Sequence, residues 1–166
     1  MDAKFYDALA SAVYLAKTLL PGLTDDDQKI RASGLYSEWA PGDHKKGEVY
    51  NAEIDGVLHT WECYQDYDNA VYPDIKPGEA AWYTFNRPLH GKSRDTARPW
   101  VQPMGAHDMY RAGEWMVYTD GLLYECKQDT NFSPDDYPEG WRIYEEETLD
   151  KLEKHLNQVD HEEELA

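Results

Sequence analysis

Two stretches of this chain carry the same landmarks in the same order, a few residues out of step, and no other property of the sequence restricts its fold as severely. The first runs Trp39, Gly47-Glu48, Val49, Gly56, Trp61, Cys63, Gln65, Pro73, Pro77, Trp82; the second runs Trp100, Gly113-Glu114, Val117, Gly121, Tyr124, Cys126, Gln128, Pro134, Pro138, Trp141. Either Trp61 or His59 of the first stretch takes the place of Tyr124 in the second. A unit recurring at this length is about the size of one very small β module. Two of them point to a binding element used twice rather than to one large enzyme core.

Units of about 45 residues sit near the size at which a hydrophobic core becomes marginal, so large aromatic rings must supply much of the burial. The 6 Trp and 13 Tyr fit that need, and most of them are assigned to the interior. Trp39, Trp82, Trp100 and Trp141, which open and close the two stretches, are read as packing residues. Cys63 and Cys126 fall at equivalent points, and a residue that recurs at one repeat position has the same local role each time. Two free buried thiols are therefore expected, not a disulfide or a zinc site.

The fold class predicted is mainly β: two tandem, small three-stranded antiparallel modules, with an N-terminal amphipathic helical segment and a short C-terminal helix. Phe5, Ala8, Leu9, Ala12, Val13, Ala16, Leu19 and Leu20 recur at steps of three and four, which places them on one stripe of a helix from about Ala3 to Leu20, ended by Pro21-Gly22. That stripe is to be covered by the first module, by copies of itself or by a partner that it docks. Thr24 with Asp27 has the form of a capping box opening a second short helix to about Ser33. Residues 1–34 form this helical segment and 35–86 the first module.

In each module a hairpin is expected, turning at Asp55-Gly56 and at Thr119-Asp120-Gly121, followed by a loop rich in Pro and Asp and a closing strand at Trp82-Tyr83 or at Trp141-Arg142-Ile143. Residues 87–98, with Pro88, Gly91-Lys92-Ser93-Arg94 and a local excess of base, read as an exposed linker. The second module occupies 99–144. In 145–166, Leu149, Leu152, Leu156 and Val159 mark a helix from near Thr148, ahead of an acidic tail.

The 33 acidic side chains against 16 Lys and Arg leave a net charge of −17, which repels phosphate backbones and anionic membrane surfaces. Neither nucleic acid nor membrane is an expected partner. Met1-Asp2-Ala3-Lys4-Phe5 does not open a secretory signal, and no apolar run approaches the roughly 18 residues of a membrane span. Carboxylates are abundant, yet modules this small rarely form the cleft that a hydrolytic carboxyl pair needs. No activated Ser or Cys, phosphate-cradling Gly loop or metal-ligand spacing is present, so the chain reads as non-enzymatic, with no cofactor and no metal. The runs Asp25-Asp26-Asp27 and Asp66-Tyr67-Asp68-Asn69 read as solvated acid.

Taken in order, these landmarks resemble the small chitin- and cellulose-binding carbohydrate-binding modules. The second stretch carries most of the likeness, in Trp100-Val101-Gln102-Pro103-Met104-Gly105-Ala106-His107-Asp108-Met109-Tyr110, Tyr124-Glu125-Cys126, Asn131 to Pro134 and Tyr137-Pro138-Glu139-Gly140-Trp141. The wording is similar to that of modules in tail proteins of phages and prophages of Gram-positive bacteria, in which a helical segment precedes a sequence like Leu35-Tyr36-Ser37-Glu38-Trp39 and two modules follow. The resemblance covers about 35–143. It implies a virion protein, made in the host cytoplasm, that recognises a bacterial surface polysaccharide by stacking aromatic rings on sugars, with other tail proteins or a copy of itself held through the N-terminal helix.

In the resembled modules a Trp stands just before the first of two prolines. Here Tyr72 precedes Pro73 and Phe132-Ser133 precedes Pro134, so the position is aromatic without the indole; a second aromatic pair is replaced by Gln65-Asp66 and Gln128-Asp129. Tyr72, Tyr67, Tyr64, Phe132 and Tyr137 are the candidate carbohydrate-binding residues. The alternative is a structural tail assembly protein whose modules keep the fold without sugar binding.

Overall fold

The computed structural model describes residues 2–145 and 156–158. The first helix, α1 (Ala3–Leu19), follows from the three-four spacing of its apolar residues and is capped by the Asp2 carboxylate, which accepts from Lys4 N at 3.2 Å. A short 3₁₀ turn, Leu20–Gly22, carries Pro21 and ends it. No residue of α1 is buried; Val13 and Ala16 of its stripe are half-buried and Phe5, Ala8, Leu9, Ala12 and Leu19 are exposed. The next helix, α2 (Asp26–Arg31), is capped by Asp25 and not by Thr24: Asp25 Oδ1 accepts from Asp27 N at 2.8 Å and from Gln28 N at 3.4 Å.

Strands outnumber α-helices among the described residues, and they form three sheets. A two-stranded sheet pairs β1 (Asp43–His44) with β4 (Tyr67–Asp68). A three-stranded antiparallel sheet has the order β2 (Val49–Ile54), β3 (Val57–Cys63), β5 (Asn86–Pro88). A four-stranded sheet has the order β6 (Arg98–Pro99), β7 (Trp115–Val117), β8 (Leu123–Cys126), β9 (Trp141–Ile143), with β6 parallel to β7 and the rest antiparallel. The β2–β3 hairpin turns at Asp55-Gly56, both at positive φ (52° and 78°), as a two-residue turn matched to strand twist requires. In the β7–β8 hairpin Gly121 N donates to Tyr118 O at 2.9 Å, and Tyr118 N donates to Leu122 O at 3.0 Å.

One set of contacts occurs in both sheets. Gly47 N donates to Cys63 O and Cys63 N to Glu48 O, at 2.9 and 2.8 Å; Gly113 N donates to Cys126 O and Cys126 N to Glu114 O, at 2.8 and 2.7 Å. Each cysteine is free and buried and donates to a carbonyl two residues on, Gln65 O at 3.1 Å and Gln128 O at 3.0 Å. Trp61 faces Tyr50 across its ladder as Tyr124 faces Met116, so Trp61, not His59, stands in the place of Tyr124.

The closing strands differ. Trp141-Arg142-Ile143 is strand β9 as expected, but Trp82-Tyr83 is not a strand: Trp82–Phe85 forms a one-turn helix, α3, and the strand follows as β5. The excursion 64–85 is longer than 127–140, so the first indole enters the core from ahead of the strand, and Asn86 takes the register position that Trp141 holds opposite Cys126. Fully buried, Asn86 donates to Trp82 O at 3.2 Å and accepts from the Tyr50 hydroxyl. Both indoles still meet the opening Trp edge-on, Trp39–Trp82 at 5.7 Å and Trp100–Trp141 at 5.9 Å between centroids. The first sheet packs Tyr50, Trp61, Tyr67, Ile75 and Trp82 into one cluster; the second packs Tyr110, Met116, Tyr124 and Trp141 into another.

Segment 87–98 is not an exposed linker: Pro88, Leu89, His90, Gly91 and Thr96 are buried. The acidic run read as solvated is what fastens it. Arg87 reaches both Asp26 oxygens at 2.8 Å and Glu62 at 3.2 Å, and Thr96 Oγ1 donates to Asp27 Oδ1 at 2.6 Å. His90 bonds Glu114 at 2.8 Å and lies flat on Tyr110, 3.8 Å between centroids. A Cβ on Gly91 would come within 2.1 Å of Thr96 O, so glycine alone fits where this segment meets Trp115. The helix expected from Thr148 falls mostly outside the described residues; 156–158 are helical. No helix among the described residues is long and apolar enough to cross a membrane.

Candidate functional site

The two excursions that follow Cys63 and Cys126 each hold one ring out into solvent. Tyr72 and Phe132 are both 62 % exposed. Their loops are fixed by polar side chains: Asn69 Nδ2 donates to Ile75 O at 2.9 Å and to Pro73 O at 3.4 Å, beside Tyr72. In the second loop Phe132 N donates to Thr130 Oγ1 at 2.9 Å, while Phe132 O accepts from the buried Trp141 indole N–H at 3.0 Å. Backbone tied down on both sides of an exposed ring is a pre-organised stacking surface, because little ordering remains to be done when a ligand arrives.

The other candidates sit differently. Tyr67 is 4 % exposed and offers no open face, which corrects its reading as a sugar contact. Pairing of β4 with β1 turns its ring onto His44, and its hydroxyl accepts from Trp39 Nε1 at 2.9 Å and shares a bond with the Tyr50 hydroxyl at 2.9 Å. Burial pushes the phenols of Tyr67 and Tyr50 up from the ordinary value. Tyr64 is exposed, but its ring lies against His107 at 4.7 Å, bridging the two halves. Half-buried Tyr137 crosses the face of Gly140, where a Cβ would lie 2.5 Å from its ring, and its hydroxyl donates to Gln128 at 3.1 Å; it braces the loop that carries Phe132. Of the Trp residues assigned to packing, Trp82 and Trp141 are buried, whereas Trp39 and Trp100 are half-buried, each with one face stacked, on His44 at 5.8 Å and on Tyr110 at 5.0 Å.

A concavity lies away from both rings. A cleft of about 510 Å³ opens where the β2–β3 hairpin faces the chain leading into the second sheet. One wall is Ile54, Val57, His59 and Trp61; the other is Trp100, Val101, Val117 and Tyr118, with Tyr83 of α3 between them. Asp55, Gln102 and Thr119 stand exposed at its edge. The His59 Nδ1 and Trp61 Nε1 atoms are buried and meet no hydrogen-bond partner among the described residues. Burial, and after it the charge of Arg98, push the His59 imidazole down to about 4, so it is neutral at pH 7. Burial and the Asp55 carboxylate push the Tyr83 phenol up. An apolar, aromatic-walled cleft of this size with a few converging polar groups is suited to a small neutral ligand.

The sequence held one signal for this cleft. Val57, His59 and Trp61 alternate along β3 and so share a face. The opposite wall depends on how the two halves dock, which periodicity does not encode. No protein-family model matches the chain, and neither a curated protein nor a solved structure matches it.

Proposed function

We propose that the chain is a non-enzymatic glycan-binding component of a phage or prophage tail. In this reading 35–86 and 99–144 are tandem copies of one three-stranded module, and each presents a ring to a host cell-wall or surface polysaccharide. The observation that carries the reading is the pair of exposed rings, Tyr72 and Phe132, one in each half, on loops held by internal hydrogen bonds. Aromatic faces stack on the apolar faces of pyranose rings while neighbouring polar groups bond the hydroxyls. The ordered landmarks resembling carbohydrate-binding modules support it, and a net charge of −17 disfavours nucleic acid as the alternative ligand.

The test is retention of the full chain on purified Gram-positive cell-wall polysaccharide. Tyr72→Ala with Phe132→Ala should weaken retention at least about tenfold, the scale of one to two lost stacking contacts. Unchanged retention in the double variant would remove these rings from the binding surface. A second reading, a tail assembly protein whose modules keep the fold without sugar binding, is favoured by a different observation: α1 exposes Phe5, Leu9, Tyr14, Leu15 and Leu19, more apolar surface than a lone helix keeps in water. The two readings are compatible if α1 anchors the chain to a neighbouring tail protein or to another copy while the loops face outward.

A further inference from the structure

We propose that the exposed stripe of α1 is a self-complementary surface, on which a second copy of this chain lays the same helix in the opposite direction. This rests on the anchoring role given to α1 above and names its occupant; it uses none of the rings held out to sugar. At about 100° per residue, Phe5, Ala8, Leu9, Ala12, Leu15, Ala16 and Leu19 fall within an arc of about 120° centred on Ala12. Every helix position on that arc is apolar, and Phe5, Leu9, Leu15 and Leu19 are 51 to 71 % exposed. The pattern reads the same in either direction. Reversal about Ala12 carries Phe5 onto Leu19, Ala8 onto Ala16 and Leu9 onto Leu15, so large falls on large and alanine on alanine.

A dyad is what uses that symmetry, because in an isologous pair residue i meets j and j meets i. Antiparallel helices centred on Ala12 set Phe5 opposite Leu19 of the second copy at both ends. Leu9 then lies over Ala16 of that copy and Leu15 over its Ala8, with the two Ala12 in contact at the centre. Alanine at the closest points lets the backbones approach, and the large side chains close over them. Charge sets the direction. The rest of the chain meets α1 near its C-terminal end, where Lys17 and Leu20 share a groove with Leu35 and Tyr36. A parallel pair would bring two chains of net charge −17 side by side there. An antiparallel pair of 17-residue helices holds them at opposite ends of about 25 Å, some three Debye lengths of roughly 8 Å. Asp7 and Lys17 each lie about 140° from the centre of the arc, so neither charge enters the seam. That outer face also lacks the density of Lys and Arg that holds an interfacial helix on anionic lipid.

The experiment is sedimentation equilibrium of the full chain over a concentration series reaching roughly 100 μM, where a pair of micromolar affinity is nearly saturated. The sedimenting mass is expected to rise about twofold. Ala12→Arg, at an exposed position, sets two guanidiniums against each other on the dyad and should hold the chain at the monomer mass, without lowering the melting temperature of dilute protein. Direction is read by disulfide cross-linking with oxidised glutathione. Ala12→Cys should cross-link to its own copy. Phe5→Cys should not, since two such residues stand about 21 Å apart, yet it should cross-link when mixed with Leu19→Cys. The native chain, whose Cys63 and Cys126 are buried, supplies the background. Tyr72→Ala with Phe132→Ala should leave mass and cross-links unchanged while polysaccharide retention falls, so failure of the pairing and failure of the glycan reading appear in different signals. A chain that stays monomeric throughout the series would overturn the proposal and leave α1 to another protein. Self-cross-linking of Phe5→Cys, or a mass beyond the dimer, would overturn it in favour of a parallel or larger bundle.

Discussion

Arg87 and Arg142 occupy one place in two sheets, each directly opposite the glutamate that precedes the buried cysteine, and they do different work. The Arg87 side chain is 21 % exposed and grips Asp26 with both terminal nitrogens as well as Glu62; that of Arg142 is 66 % exposed and meets Glu125. What separates them is α2, which brings Asp26 to the first pair and has no counterpart at the second among the described residues. One cross-strand position becomes an interior clamp or a surface ion pair according to what a third element brings to it. The same contrast governs the closing indoles, since Trp141 comes from its strand and Trp82 from the helix ahead of it, although both end against the opening Trp.

The sharpest way to break this comparison is at the indoles. Trp82, wholly buried between Trp39, Tyr50 and Trp61, should cost about 5 kcal/mol when replaced by alanine, near the upper end for aromatic truncation. Urea unfolding of Trp82→Ala and Trp141→Ala should give losses within about 1 kcal/mol of each other if the two rings fill equivalent places. A much smaller loss at Trp82 would mean that α3 is an appendage and the correspondence superficial. Next come the arginines. Arg87→Ala strips Asp26 of its bidentate partner in a half-closed site, although Lys29 stays paired to Glu62 at 2.6 Å, and should cost about 3 kcal/mol, whereas Arg142→Ala should cost less than about 1 kcal/mol. Equal losses would show that α2 contributes nothing to the clamp.

A third difference is sensitivity to acid. His59 stands two residues before Trp61, where the second sheet has the exposed Leu122 two residues before Tyr124. Its folded value, pushed down to about 4 by burial, lies below the roughly 6.5 of an unfolded histidine, so the unfolded chain takes the proton first. The stability this group contributes is complete above about pH 6.5 and drains away as pH falls towards 4, by about 3 kcal/mol in all. Unfolding free energies of the native chain and of His59→Leu, measured at pH 7, 5.5 and 4.5, should diverge in that window. Parallel curves would mean that His59 is reached by solvent.

Local patterns were legible in the sequence and docking was not. The period of α1, the Asp-Gly turn, the free buried cysteines and the buried indoles of Trp82 and Trp141 follow from spacing and residue type alone. The third strand of the first half was misplaced because Trp82 matches Trp141 by identity, while the ladder follows backbone register, and only the longer excursion separates the two. Tyr67 was misjudged for a related reason. A Tyr in an acidic loop reads as exposed until Trp39 Nε1, far away in sequence, is seen to donate to its hydroxyl. The acidic run of α2 also looks like a solvated cap, since nothing local says that Arg87 and Thr96 return to it; those long-range bonds fasten the segment in which Pro88, Leu89, His90, Gly91 and Thr96 are buried.

The smallest change in stability is expected where the exposed apolar surface is greatest, and that opposition separates α1 from the sheets. The helix carries only Lys4, Asp7 and Lys17 as charged residues, and none of its side chains is buried. Truncations in the sheets remove contacts that the folded chain makes with itself, whereas Leu9 and Leu15 on α1 are 51 % and 62 % exposed. Leu9→Lys with Leu15→Lys should therefore shift the unfolding free energy by less than about 0.5 kcal/mol, the range of surface changes. The same pair should abolish any concentration-dependent increase in sedimenting mass, or any capture by a neighbouring tail protein, because a charge in a helix-to-helix seam is costly to bury. A loss of more than about 2 kcal/mol that does not depend on protein concentration would instead mean that α1 packs on its own chain, and the proposed anchoring role would go with it.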